Sequence, residues 1–169
     1  FKDATGFNAR DLIEKAKEKA HEIDAAKDVT RKTDAVALMD KAFRNDERIP
    51  ADEKIIMRHP AAWQYAEHFM PGKRWKQAEK AIAQDKRSSY KYAEMLADEG
   101  VAAPDNIMRQ VLKQANYTYN TLNAFLRKDG NVPDILIKAM AKNRAEYAVS
   151  TCLNYMNFGY PPPEELKKV

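Results

Sequence analysis

A short aromatic motif that recurs along the second part of the chain constrains the fold more than any other sequence feature. Trp63-Gln64-Tyr65 returns as Tyr90-Lys91-Tyr92 and again as Tyr117-Thr118-Tyr119, each time 27 residues further on. A degenerate fourth copy follows at a step of 28 residues, which aligns Tyr119 with Tyr147. A unit of this length cannot bury its apolar side alone, whereas neighbouring units can share a core. The sequence therefore predicts four stacked units over residues 51–160.

The composition and the positions of proline and glycine indicate that each unit is helical. Only five of the 169 residues are Gly, whereas Ala, Lys, Glu, Leu and Met, which lose little side-chain freedom in a helix, are abundant. Proline stands just before acidic residues at four places, which is typical of helix starts: Pro50, Pro104, Pro133 and Pro161-Pro162-Pro163. Isolated glycines precede the next starts, where a chain leaving a helix often needs a positive φ: Gly72, Gly100, Gly130 and Gly159. Each unit is predicted to be a helix, a turn, a second helix and a Gly-containing loop.

The two aromatic residues of each motif are expected to have different environments. Residues two apart in a helix point about 200° apart, so only one of the two can face the core. The predicted inward set is Tyr65, Tyr92 and Tyr119. The other set, predicted to pack against an adjacent unit or to lie at the surface, is Trp63, Tyr90 and Tyr117.

Residues 1–50 lie outside the repeat and are predicted to form an N-terminal helical segment. A first helix is expected from Asn8, as its cap, to about Ala26, and a second from near Thr33 to a point before Pro50. The first helix carries a narrow apolar stripe: Leu12, Ile13, Ala16, Ala20 and Ile23. Two interpretations remain open for this segment, a cap on the repeats or an outward arm that binds a partner.

The predicted fold class is therefore all-α. Short tandem helix-turn-helix repeats in residues 51–169 are expected to stack as a compact solenoid, preceded by the helical segment of residues 1–50. The single Cys152 cannot form an internal disulfide. No apolar run approaches the roughly 18 residues needed to cross a bilayer, so no membrane partner is predicted.

One repeat copy also suggests an origin. Ala81-Ile82-Ala83-Gln84-Asp85, followed by Tyr90-Lys91-Tyr92-Ala93-Glu94-Met95-Leu96, resembles short tandem helical repeats in uncharacterised proteins of tailed bacteriophages and some bacteria. The resemblance covers mainly residues 53–158. It implies a helical repeat and a phage origin, and it carries no active site to transfer. The expected location is the cytoplasm, or the virion for a structural phage protein.

Residue types that carry catalysis or bind metals are few and scattered. The three histidines, His21, His59 and His68, lack the three- or four-residue spacing of a zinc site and are far in sequence from Cys152. Gly72-Lys73-Arg74-Trp75 lacks the spacing and the Ser or Thr of a phosphate-binding loop. No metal, cofactor or enzymatic activity is predicted, and Cys152 is interpreted as a buried small hydrophobic residue.

The leading hypothesis is a non-enzymatic helical-repeat adaptor or structural protein that binds another protein, from the host or from a virus. The predicted protein contacts combine the outer aromatic set with the neighbouring basic loop: Trp63, Tyr90, Tyr117, Lys73, Arg74 and Trp75. The oligomeric state is left open.

The alternative hypothesis is nucleic-acid binding by a basic and aromatic cluster. Seven basic residues stand between positions 73 and 91 against two acidic ones: Lys73, Arg74, Lys76, Lys80, Lys86, Arg87 and Lys91. Cations bind phosphates and release counterions, and the interleaved Trp75 and Tyr90 would stack on unpaired bases. A third possibility is a virion component, in which the absence of an initial Met reflects proteolytic maturation.

Overall fold

The computed structural model describes residues 9–143 and 145–168, without the side chains of residues 9, 10, 25–29 and 31–33. Throughout these residues the regular structure is helical and no strand occurs, which confirms the all-α prediction. The helices are α1 (Ala9–Asn45), α2 (Glu53–Ile56), α3 (Ala62–Phe69), α4 (Glu79–Ile82), α5 (Lys86–Ala97), α6 (Asp105–Val111), α7 (Ala115–Lys128), α8 (Asp134–Ala141), α9 (Ala145–Asn157) and α10 (Glu164–Lys167).

The prediction of two helices before Pro50 is wrong, because α1 continues unbroken through Thr33 to Asn45. Residues 9–49 contain no Gly and no Pro, so nothing in the backbone chemistry interrupts the helix. The predicted cap, Asn8, lies outside the described residues. The helix ends where Asp46 adopts a φ of 49° and the N–H of Glu47 bonds back to the carbonyl of Ala42 at 3.1 Å.

The helix starts and stops predicted from proline and glycine are largely confirmed. Helices α6, α8 and α10 begin directly after Pro104, Pro133 and Pro163, whereas α2 begins three residues after Pro50. The four glycines predicted to leave helices have φ values of 67°, 72°, 78° and 81° in chain order: Gly72, Gly100, Gly130 and Gly159. At Gly130 a Cβ would also lie 2.6 Å from the ring of Tyr160, so both the backbone and the packing require glycine there.

The helices after Pro50 alternate in chain order between a shorter and a longer one, and we group them as four consecutive pairs: α2 with α3, α4 with α5, α6 with α7, and α8 with α9. The second helices of adjacent pairs touch, because α3 contacts α5, α5 contacts α7 and α7 contacts α9. The first helix of a pair also packs on the second helix of the preceding pair, as α6 does on α5 and α8 on α7.

Two of the three predicted inward tyrosines are in the core. Tyr65 and Tyr92 are fully buried, whereas Tyr119 is half-buried and Thr118 beside it is fully buried instead. The prediction for Tyr119 is wrong because the interval between the helix-ending glycines lengthens from Gly100 to Gly130, so a fixed step of 27 residues loses the register.

The two ends of α1 differ in environment. Near its C-terminal end, Ala35, Met39 and Ala42 are buried, the latter two in the common core, and α1 contacts α2. By contrast, every residue from Asp11 to Asp24 is exposed. The helix therefore covers the first pair with one end and extends into solvent with the other.

Candidate functional site

Two polar clusters of the same design, each with an exposed arginine and a buried tyrosine, lie where consecutive helix pairs begin. In the first, Arg48 donates to Glu53 (Nε to Oε1, 2.6 Å), and the hydroxyl of Tyr65 accepts the backbone N–H of Ile49 at 2.9 Å. The same hydroxyl lies 3.3 Å from Glu53 Oε1. The guanidinium, carboxylate and phenol together tie the loop before α2 to α3.

The second cluster repeats this arrangement with Arg74, Glu79 and Tyr92. Arg74 makes a two-pronged contact with Glu79 (Nε to Oε1, 2.8 Å; Nη2 to Oε2, 2.9 Å), and Tyr92 accepts the N–H of Trp75 at 2.6 Å. The hydrogen bond to Glu79 raises the pKa of Arg74, and burial raises the pKa of Tyr92 to about 12. Arg74 is therefore committed to an internal ion pair, contrary to its predicted roles in partner or phosphate binding.

Trp75, a predicted contact to a partner protein or to nucleic-acid bases, is buried. Its side chain is 6% exposed, and its ring lies 5.5 Å from the ring of Tyr65, centroid to centroid. An indole held in the core between two helix pairs offers no face to a partner protein or to a nucleic-acid base.

Tyr90 is likewise unsuited to be an outer contact. It is 8% exposed and stacks on Tyr117 with a centroid separation of 4.3 Å and an interplanar angle of 3°. Its hydroxyl donates to Glu94 at 2.8 Å and accepts from Asn120 at 3.3 Å. Tyr90 and half-buried Tyr117 therefore join α5 to α7, which is one of the two environments predicted for them, and Tyr90 is removed from the accessible contacts.

Trp63, another aromatic residue of the predicted contacts, lines an open groove. The groove lies between α1 and α3 and encloses about 620 Å³. Its lining residues are Asp40, Phe43, Trp63, Gln64, Glu67 and His68. Trp63 and Phe43 are half-buried and pack against the core, so the base of the groove is aromatic and rigid.

The charge of the groove is negative. Asp40 and Glu67 are exposed, and neither carboxylate has an ion-pair partner at salt-bridge distance among the described residues. His68 is anchored instead, with Nε2 2.7 Å from Asp46 Oδ1 and its ring edge-on to Phe43 at 5.4 Å. The groove thus combines two rim carboxylates with an aromatic base. Glu67 also contributes to the raised pKa of Lys91, which the hydrogen bond from Lys91 to Glu94 raises first.

The predicted basic cluster is divided by the structure. Lys91 is bound to Glu94 at 2.9 Å and lies 5.1 Å above the ring of Tyr90. Arg87 is exposed and close enough to Asp85 to lower the pKa of that carboxyl, which is lowered first by the backbone N–H of Ser88. Four further lysines are exposed and make no ion pair with any described residue: Lys73, Lys76, Lys80 and Lys86.

The histidines and the cysteine considered in the sequence form no metal centre in the part of the chain that the structure describes. Within residues 9–143 and 145–168, no group of three His, Cys, Asp or Glu is placed to hold a metal ion. His59 accepts the N–H of Ala61 at 3.1 Å through Nδ1, and Cys152 is half-buried with a free thiol. No described helix has the length and apolar character needed to cross a membrane.

Comparison of the chain with protein-family models, with curated proteins and with solved structures finds no match. The candidate site consequently stands on its own geometry. The acidic groove was not predicted from the sequence, because Asp40 and Glu67 lie 27 residues apart on different helices. Only Trp63 and its neighbours were singled out by a local sequence pattern.

Proposed function

We propose that this protein is a non-enzymatic helical-repeat adaptor that binds another protein, with its helix pairs stacked as a short solenoid. The proposal is supported by the pairwise packing of the second helices, in which α3, α5, α7 and α9 contact one another in chain order. Such an array presents a long surface composed of successive helices, which suits recognition of an extended partner.

The observation that carries the proposal is the groove at Trp63. An aromatic base with an acidic rim matches a cation on an apolar stem, because the stem packs on the rings while the charge meets the carboxylates. Arg and Lys side chains have this form. The proposed ligand is therefore a basic segment of a partner protein that inserts Arg or Lys between Asp40 and Glu67.

Helix α1 places one further exposed apolar side chain beside the groove. Val36 lies one turn before Asp40 and two turns before Phe43 on the same side of the helix, and it is 42% exposed. An apolar side chain next to the inserted cation would cover Val36. The preferred segment is accordingly a basic residue flanked by an aliphatic or aromatic one.

Selection from a random peptide library, followed by calorimetric titration of the selected peptides, tests this proposal. We expect enrichment of Arg or Lys beside apolar residues. Reversing the rim charge with Asp40→Lys and Glu67→Lys should raise Kd by roughly tenfold or more, since a lost hydrogen bond to a charged group costs about 1.5–3 kcal/mol.

The matched control is Glu165→Lys, the same charge change at an exposed carboxylate on α10 that no described cation pairs with. It should leave Kd unchanged. Peptides selected without any charge preference, or equal weakening by all three variants, would refute the groove as the binding site.

Nucleic-acid binding remains the second candidate because the four exposed lysines near α4 and α5 are unpaired. Stacking no longer contributes, since Trp75 and Tyr90 are buried. The expected signature is sequence-independent binding that weakens steeply with salt. An electrophoretic shift at low and physiological salt, compared between the wild type and Lys80→Glu with Lys86→Glu, measures it; no shift at either salt concentration removes this candidate.

A further inference from the structure

Adjacent helix pairs are stacked in parallel, which gives the array two different edges. Near their ends, α5 and α7 are joined by an ion pair from Arg127 to Asp98 at 2.8 Å. Near their beginnings, the same two helices are joined by the stacked rings of Tyr90 and Tyr117. Helix starts therefore lie beside starts, and helix ends lie beside ends.

The neighbouring helices follow the same arrangement. Glu99, just after α5, lies against Gly72, just after α3, with its Cγ 2.7 Å from where a Cβ on that glycine would be. Tyr119 in α7 and Tyr147 in α9, both in the first half of their helices, have ring centroids 6.1 Å apart. The loops that contain glycine therefore share one edge of the array, the glycine edge. The turns within the pairs share the opposite edge, the turn edge.

Charges on the glycine edge are balanced, and most of its cations are paired. The edge comprises four segments of five residues: 45–49, 70–74, 97–101 and 127–131. These segments contain five basic and five acidic residues. Four of the basic residues form ion pairs: Arg48, Arg74, Arg127 and Lys128.

The turn edge, by contrast, is mainly basic. It comprises four segments of the same length, of which the structure describes every residue except 144: 57–61, 83–87, 112–116 and 142–146. Five exposed basic residues lie here, and we call them the cation row: Arg58, Lys86, Arg87, Lys113 and Lys142. None of them is at salt-bridge distance from a carboxylate of the described residues. The segments contain two acidic residues, Glu146 and Asp85, and Asp85 caps α5 by accepting the N–H of Ser88 at 2.7 Å.

The first helices of the pairs add one more cation each. Every one of them begins with an acidic residue, at the glycine edge, and carries its single basic residue further toward the turn edge. These basic residues are exposed: Lys54, Lys80, Arg109 and Lys138. The helix dipole favours cations near a C-terminal end, but it disfavours Lys86 and Arg87, which occupy the first turn of α5. Helix termini therefore do not account for the whole cation row.

We propose that the turn edge binds double-stranded nucleic acid through its phosphates. Packed helices lie about 8–10 Å apart, so the four turns span about 24–30 Å. A duplex advances about 3.4 Å per base pair, so the cation row would follow about seven to nine base pairs. The inference rests on nucleic-acid binding, the second candidate function. It places that binding on a different surface, which shares only Lys86 and Arg87 of its cation row with the predicted cluster of positions 73–91.

A duplex is favoured over an unpaired strand for two reasons. The four segments of the turn edge contain no Phe, Tyr or Trp, so unpaired bases find no such ring to stack on. Each phosphate contact also releases about 0.9 of a counterion from duplex DNA, against about 0.7 from a single strand. Binding should therefore be tighter to a duplex and independent of base sequence.

Fluorescence anisotropy of the full chain with a short labelled DNA duplex, measured over a range of salt concentrations, tests the proposal. The logarithm of the association constant should fall against the logarithm of the salt concentration with a slope of about −4.5, or about 0.9 for each of the five cations. Lys113→Gln with Lys142→Gln should make this slope shallower by about 1.8 and raise Kd at least about tenfold at low salt. Both lysines are exposed and belong to the third and fourth pairs, away from the acidic groove of α1 and α3.

The matched control is Lys73→Gln with Lys76→Gln. It removes the same charge from two exposed lysines of the loop between α3 and α4, which form no ion pair with a described residue. Its slope and Kd should stay close to those of the wild type. All four positions are exposed, so both double variants should keep the wild-type circular dichroism.

Four outcomes overturn the proposal. Absence of duplex binding at low salt would remove it while leaving basic-peptide binding at Asp40 and Glu67 intact. Equal weakening by the two double variants would reduce the effect to net charge. Stronger weakening by the control would place nucleic-acid binding on the cluster of positions 73–91 instead. Equal binding of a single strand, or equal competition by polyglutamate, would show that the turn edge does not select a duplex.

Discussion

At the scale of single residues, tyrosine hydroxyls connect loops to helices through hydrogen bonds. Tyr65 and Tyr92 each accept a backbone N–H from the loop that precedes a helix pair, while an Arg and Glu pair lies beside them. The inward position of these tyrosines was predictable, because Phe69 and Leu96 lie four residues further on and therefore on the same helix face. Their hydrogen bonds did not, because they depend on Ile49 and Trp75, which lie 16 and 17 residues away.

Substitution Tyr92→Phe should lower the free energy of unfolding by about 1–3 kcal/mol, because the buried N–H of Trp75 then has no acceptor. Urea denaturation measures it. Tyr147→Phe is the control, since the Tyr147 hydroxyl makes no hydrogen bond to a described residue and its loss should change the value by no more than about 0.5 kcal/mol. Equal losses in the two variants would contradict the role assigned to the Tyr92 hydroxyl.

At the scale of helices, α1 has a packed C-terminal end and an exposed N-terminal end. The uninterrupted helical pattern of residues 9–45 is a local property, because no Gly or Pro breaks it. The division into a packed end and an exposed arm is not local, since apolar residues occur in both parts. The positions of α2 and α3 decide which of them are buried, because α1 contacts α2 and Phe43 packs on the rings of α3.

Paired truncations on α1 test this division at low protein concentration. Met39→Ala should lower the free energy of unfolding by about 2–5 kcal/mol, because Met39 is 2% exposed and its removal leaves a cavity. Ile23→Ala should change it by less than about 0.5 kcal/mol. Thermal unfolding followed by circular dichroism distinguishes the two, and similar losses would show that the arm packs on the body.

At the scale of the whole molecule, burial of phenols couples stability to alkaline pH. Burial is the main reason that the pKa values of Tyr92 and Tyr155 rise from 10.0 to about 12, and it also raises those of Tyr65 and Tyr90. A pKa that is higher in the folded than in the unfolded chain means that the folded state holds its proton more tightly. This contribution is complete below pH 10 and is lost as the pH rises toward 12.

The free energy of unfolding should therefore fall as the pH rises above about 10. Urea titrations on both sides of this pH measure the slope. Tyr155→Phe should make the decline shallower, because it removes one of the two phenols with the largest shifts. A slope that is identical in the wild type and in Tyr155→Phe would contradict the assignment to Tyr155.

The candidate site was predictable only in part, for reasons visible in particular residues. Trp63 was singled out by the repeat and does line the groove, but Asp40 reaches it from α1, and no short-range pattern connects the two. The basic cluster was visible as a run of charges. Arg74 pairs with Glu79, and Lys91 pairs with Glu94. These two ion pairs divide the cluster, and they depend on how the side chains meet in the folded helices.

The sequence by itself determined the all-helical class, the helix starts after Pro104, Pro133 and Pro163, and the positive φ at four glycines. These properties depend on steric and hydrogen-bonding limits within a few residues, so the identities of neighbouring residues are enough to predict them. Tertiary structure alone decided that Trp75 and Tyr90 are buried, that Tyr119 leaves the core, and that an acidic groove forms beside Trp63. Those outcomes depend on which distant side chains exclude water from one another, and only the packed helices bring such side chains into contact.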